Sequence, residues 1–178
     1  LKGTITDGIV FVASIGEWLV SAASDSDLAG CINTGRSTMG HYAKIGEYGV
    51  MISRCGLDRK ISTSTGQADT YAMLGLLNDI VWLLRLLDEL GHPMTQPVHL
   101  ASDNDGVVKQ STKAVNHTTA KHYRIAQAYI REKVQCLVVK VVEIDTAVNA
   151  SDIFTKALLA PAFLRHKDTI MGPQTRPL

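Results

Sequence analysis

Short runs in which apolar and polar residues alternate are set between longer stretches whose apolar positions recur at helical spacing. The first period belongs to half-buried strands and the second to amphipathic helices. A run starting at Trp18-Leu19-Val20 leads through small residues to Ser24-Asp25-Ser26-Asp27, which predicts a strand with acids at its C-terminal end. Two more strands are expected at residues 40–45 and 48–52, with Gly46-Glu47 as the turn of a hairpin. Over residues 67–90, Ala68, Tyr71, Ala72, Leu76, Ile80, Leu83, Leu84 and Leu87 keep helical spacing, and Gly91 then Pro93 end the helix. Val98-His99-Leu100-Ala101-Ser102 reads as a strand, and Asp103-Asn104-Asp105-Gly106 as a turn. Residues 119–134 read as a polar helix, and the valine-rich residues 137–144 as a strand. A helix is expected from Asn149-Ala150-Ser151-Asp152 toward Leu159, ended by Pro161, with a frayed tail from Gly172 on. Alternating strands and helices predict an α/β or α+β layer fold.

Composition narrows the classes. With 178 residues the chain suits one domain with a full core, and 46% apolar against 20% charged residues argues against disorder. Cys31, Cys55 and Cys136 are odd in number and far apart, with no CxxC pair, so neither a disulfide framework nor a zinc site is indicated. The apolar stretch 9–13 does not make a secretory signal, and residues 80–87 are broken by Arg85 and fall short of the ~20 apolar residues a span needs. No membrane partner is expected. The formal net charge of +1 is uninformative, but its distribution is not. Between Gly106 and Val142 stand Lys109, Lys113, Lys121, Arg124, Arg131, Lys133 and Lys140, opposed only by Glu132. Such a segment suits phosphate-backbone contacts, with Lys109, Lys113, Lys121 and Arg124 as candidates; a solvated helix face is the plain alternative.

The candidate chemistry lies in acids. Asp25, Asp103 and Asp152 fall where strands end or helices begin, and Asp69 falls in the first turn of the long helix. Four carboxylates converging at one sheet edge repel unless cations lie between them, and hard ions such as Mg²⁺ or Mn²⁺ are the natural partners. Two such ions ~4 Å apart suit phosphodiester cleavage, with Asp25 the candidate to bridge them. Taken singly, Asp152 can be a helix cap, Asp69 a dipole partner, Asp103 a turn residue, and Asp25 and Asp27 solvated acids.

Ser24-Asp25-Ser26-Asp27-Leu28-Ala29-Gly30 with Arg36-Ser37-Thr38-Met39-Gly40 resembles the SDADWAG…RRSTSG stretch of copia-type retrotransposon ribonuclease H domains. Ser64-Thr65-Gly66-Gln67-Ala68-Asp69-Thr70-Tyr71-Ala72, Ser102-Asp103-Asn104, the Lys121-His122 to Arg131-Glu132-Lys133-Val134 block and Ala150-Ser151-Asp152-Ile153-Phe154-Thr155-Lys156-Ala157-Leu158 resemble further blocks of that family, in order. The opening Leu1-Lys2-Gly3-Thr4 is similar to its link from reverse transcriptase. The resemblance implies a ribonuclease H-like fold, a mixed five-stranded sheet flanked by helices. It implies residues 1–17 as a linker, 18–172 as the domain and 173–178 as a tail. It implies cleavage of RNA in RNA–DNA hybrids with two Mg²⁺ or Mn²⁺ ions, and places metal-binding, catalytic roles on Asp25, Asp69, Asp103 and Asp152. Asp69 and Asp103 would share the first ion with Asp25, and Asp152 the second. An attached reverse transcriptase and residence in cytoplasm, virus-like particle or nucleus go with it.

The family has Glu where this chain has Asp69 and Gln67, Trp where it has Leu28, and a basic residue where it has Thr119-Ala120. Asp sets its oxygens back by roughly 1.5 Å, so weakened catalysis is expected. A non-catalytic interaction module is therefore the main alternative, and an integrase- or resolvase-type nuclease a second. His117 is a candidate proton carrier, with an idle surface histidine as its alternative.

Overall fold

A computed structural model of the chain describes residues 7–11, 19–46, 49–113 and 121–172. Strand β1 (Val20–Asp27) pairs antiparallel with β2 (Thr38–Ile45), which pairs antiparallel with β3 (Val50–Leu57). On its other side β1 pairs in parallel with β4 (Val98–Ser102), and β4 in parallel with β5 (Val139–Glu143). The sheet order is β3-β2-β1-β4-β5. This is the mixed five-stranded sheet that the resemblance implies.

Helix α1 (Thr65–Glu89) covers one face. Ser64 caps it by accepting from the Gln67 N–H, and Gln67 Oε1 turns back to accept from the Thr63 N–H at 2.8 Å. Gln67 is thus a capping residue in a variant of the capping box. Gly91, at φ 81°, ends the helix: its N–H donates to the Asp88 carbonyl and the His92 N–H to that of Leu87. That paired closure needs a left-handed residue. By length and apolarity α1 passes as a membrane span, but Met73, Leu76, Leu77, Ile80 and Leu83 of its inner face lie buried. They pack with Val20, Ala22, Leu100, Val139 and Ile130 in the main core. Removing one, as in Leu76→Ala, costs about 2–5 kcal/mol.

Helices α2 (Asp105–Thr112) and α3 (Lys121–Gln135) flank α1. The opposite face carries a smaller cluster of Ala23, Tyr42, Val50, Ala150 and Ile170, beneath the short α4 (Asp152–Thr155) and α5 (Ala160–Met171). Residues 7–11 join α5 and β3: the Val10 N–H donates to Met171, the Gly49 N–H donates to Val10, and Lys167 pairs with Asp7.

Four expectations are corrected. The run 103–106 is not only a turn, because Asn104 caps α2 by accepting from the N–H groups of Gly106 and Val107. The residue types that make turns also make caps. Pro161 opens α5 rather than ending a helix, its missing N–H being harmless in a first turn. The hairpin's second strand continues to Leu57. Asp69 is the fifth residue of α1, because the capped helix starts at Thr65, two residues before the expected start at Gln67. Glu47, residues 114–120 and the tail 173–178 lie outside the described residues.

Candidate active site

Alternation along β1 divides its side chains between the two faces. Ser24 and Ser26 turn toward α1, touching Met73 and Asp69, whereas Asp25 turns toward α4 and meets Thr155 and Lys156. The parallel register pairs Ala23 with Ala101, so two residues further on Asp25 stands level with Asp103. Paired residues of parallel strands share a face. Asp152 arrives from the first residue of α4.

The approach of α4 depends on two residues. Gly40 lies opposite Asp25 in the β1–β2 register, and a Cβ there would stand 2.6 Å from Phe154 Cβ and 3.2 Å from the Ser151 carbonyl. Only glycine leaves α4 that room. Buried Asn149 donates through Nδ2 to the Ser24 carbonyl at 3.3 Å, while its Oδ1 accepts from the Ser151 N–H and hydroxyl. The turn that presents Asp152 is therefore fastened to β1.

One carboxylate oxygen from each of Asp25, Asp103 and Asp152 lies within 4.8 Å of the others. Asp25 is 4% exposed and Asp152 6%. Like charges ~4 Å apart repel by about 4 kcal/mol at an effective dielectric near 20. Burial first, then the charge of Asp25, pushes the Asp152 carboxyl up to about 6, with Lys156 pulling against them. Among the described residues Asp152 Oδ1 is enclosed and accepts no aligned hydrogen bond, and the cap position of α4 falls on Ser151. It faces the Lys156 ammonium 3.1 Å away as a bare ion pair.

Asp69 stands beside this group, not within it. Its Oδ1 accepts from the Ser26 hydroxyl at 2.5 Å and its Oδ2 from Asn104 Nδ2 at 2.7 Å. Burial pushes this carboxyl up, the two hydrogen bonds oppose the rise, and Asp25 and Asp103 add to it. The expected convergence of four acids is thus a cluster of three with a fourth alongside. Asp69 rises from α1 on the other sheet face from Asp25, and its shorter side chain ends at Ser26 and Asn104. Asp27 is distinguished from Asp25 too: its carboxylate lies against Gly30, where a Cβ would come 2.1 Å from Oδ2.

Lys156 escaped the sequence reading. Its ammonium also lies 3.6 Å from Asp25 Oδ2, the oxygen to which Thr155 donates. Burial works against its charge, but Asp25 and Asp152 outweigh that and hold it above the ordinary lysine value. Its signal was the i, i+4 spacing from Asp152.

The basic candidates lie exposed on α2 and α3. Lys109 is paired with Asp105, Lys113 caps the end of α2, and Lys121 and Arg124 stand in the first turn of α3. The sequence reading overlooked a groove of about 760 Å³ whose lining includes Arg54, Arg59 and Lys60 together with Tyr71, His122 and Tyr129. His117 lies outside the described residues.

No protein-family profile matches the chain. Over 163 residues it is 30% identical to the retrovirus-related Pol polyprotein from transposon RE1 of Arabidopsis thaliana, covering 92% of this chain and 11% of that protein. With its counterpart from transposon TNT 1-94 of Nicotiana tabacum it shares 28% identity over 158 residues, 89% of this chain and 12% of the other. The chain thus spans about a tenth of the length of these relatives. Ribonuclease H1 from Halobacterium salinarum superposes with a TM-score of 0.54 at 20% identity, over 76% of this chain and 93% of that one. LC11-RNase H1, solved in complex with RNA/DNA hybrid, superposes at 0.55 with 18% identity over the same shares. The fold is ribonuclease H-like. The α/β class and the resemblance to copia-type polyproteins are both borne out. In this fold the three clustered acids come from the C-terminal ends of β1 and β4 and the start of α4.

Proposed function

We propose that the domain is a metal-dependent endonuclease that cleaves the RNA strand of RNA–DNA hybrids, as the ribonuclease H part of a retrotransposon polyprotein with an attached reverse transcriptase. The observation that carries this reading is the convergence of Asp25, Asp103 and Asp152 within 4.8 Å in a fold shared with ribonucleases H. Their donors are hard oxygens only, and the enclosed, unaligned Oδ1 of Asp152 is the kind of atom a cation completes. This set fits Mg²⁺ or Mn²⁺. Asp25 would be shared by two ions, Asp103 would serve one and Asp152 the other. When bound, the ions supply Lewis acidity at the phosphate and lower the pKa of water.

The rest falls to the chain's own residues. Asn149 and Gly40 hold Asp152 against β1, and Ser26 and Asn104 fix the Asp69 carboxylate beside the cluster. Lys109, Lys113, Lys121 and Arg124, with Arg54, Arg59 and Lys60 of the groove, are suited to the phosphates of the hybrid. Selectivity for the RNA strand then comes from 2′-hydroxyl contacts across a wide minor groove.

One observation favours the second reading, a binding module of low activity: the Asp69 carboxylate is engaged by Ser26 and Asn104 rather than turned into the cluster. Cleavage of a labelled hybrid in Mg²⁺ and Mn²⁺ separates the two. The nuclease reading expects cleavage that Asp25→Asn lowers on the order of 10³-fold and that Asp69→Glu raises. Hybrid binding without cleavage in either metal, unchanged by Asp69→Glu, rejects it in favour of the module.

A further inference from the structure

Lys156 reaches into the carboxylate cluster from one side only. Its ammonium lies 3.1 Å from Asp152 Oδ1 and 3.6 Å from Asp25 Oδ2. Among the described residues it makes no ion pair with Asp103. The contact with Asp152 is unaligned, so the ammonium acts there as a point charge held between two buried carboxylates. That is also where an ion serving Asp25 and Asp152 would lie. The lysine side chain is 36% exposed, whereas those of Asp25 and Asp152 are 5% and 9%. The cation can therefore leave toward solvent while the anions stay. A four-carbon stem carrying a compact charge suits such a movement.

We infer that Lys156 is a positioning residue: its ammonium is the protein's own counter-ion for the Asp25–Asp152 half of the site, and a divalent ion entering that half displaces it. This rests on the proposed metal binding of the cluster. It makes the two halves unequal. The Asp25–Asp103 half is open and fills first, and the Asp25–Asp152 half fills second and more weakly. The device keeps two buried carboxylates compensated while no ion is present. A lysine retained only to stabilise the folded chain would leave metal affinity unchanged.

The test is calorimetric titration of Mn²⁺ into the full 178-residue chain as wild type, Lys156→Met and Lys156→Arg, with melting temperatures read in parallel. In the wild type two unequal binding steps are expected. Lys156→Met should tighten the weaker step by about tenfold or more, while lowering the melting temperature of the metal-free protein. Lys156→Arg, whose guanidinium grips carboxylates through two donors, should fold like the wild type and weaken that step. Wild-type Mn²⁺ binding with unchanged or weaker binding by Lys156→Met overturns the inference and leaves the metal reading standing. Should Lys156→Met fail to fold, equal or tighter binding by Lys156→Arg overturns it. Absence of Mn²⁺ binding in wild type and variants rejects the metal reading and the inference with it.

Discussion

Two charge clusters lie on this sheet and are built to opposite ends, one with an exposed guanidinium and one buried. On β2, His41 shares Asp79 Oδ2 of α1 with Arg54 of β3, at 2.8 Å and 2.6 Å. One carboxylate there answers one guanidinium and one imidazole, and nothing is left over. At the ends of β1 and β4, three carboxylates converge and one ammonium answers two of them, with Asp69 close by. The first cluster is a tie between helix and sheet that the protein completes itself. The second is short of positive charge. Burying such an excess is costly unless something from outside balances it, so the deficit marks the site more sharply than burial or charge alone.

The comparison breaks most visibly at Gly40. In Gly40→Ala the new methyl meets Phe154, Thr155 and the Ser151 carbonyl, and α4 must move. Displacing Asp152 by ~1 Å should lower hybrid cleavage by about 10²-fold, measured under single-turnover conditions, while the His41–Asp79 tie stays intact. Asp79→Ala should do the reverse. It leaves buried His41 without its acceptor, which costs about 1–3 kcal/mol in denaturant unfolding, and changes Mn²⁺ affinity little. A large loss of metal binding in Asp79→Ala would mean that the clusters are not independent.

The smallest effect is in pH, where the clusters should have opposite slopes. Asp152, raised to about 6 by burial and by Asp25, holds its proton more readily folded than unfolded. Its contribution to stability is full below about 3.9, the ordinary Asp value, and is lost as pH rises through about 6. His41 is lowered, chiefly by burial and against the pull of Asp79. Its contribution is present above the ordinary histidine value and is lost as pH falls through the lowered one. Without metal, the melting advantage of Asp152→Asn over the wild type should be largest near pH 7 and shrink toward pH 5. A constant difference would remove Asp152 as the source.

Much of this was legible in the chain. The Val98–Ser102 strand has the limits its alternation predicts, and α1 departs by two residues at its start and one at its end because Ser64 and Gln67 form a cap ahead of the apolar repeat. The acids stood out because they fall at element ends. Less legible were features that depend on contacts between distant segments. Gly40 reads as one more small residue until α4 is laid over it, and Lys156 reads as a surface lysine until Asp25 is brought across from β1. Likewise, nothing local says that Asp69 approaches from the opposite face to Asp25. Helices α2 and α5 were missed because Asn104 and Pro161 begin helices as readily as they end segments.

The most direct test of the central claim is where Mn²⁺ binds. Crystals of the wild-type chain soaked in Mn²⁺ should show an anomalous peak between Asp25 and Asp103, with a second toward Asp152 where the Lys156 side chain has moved aside. No peak among these carboxylates, or Mn²⁺ bound elsewhere on the domain with Lys156 still in place, would contradict the account.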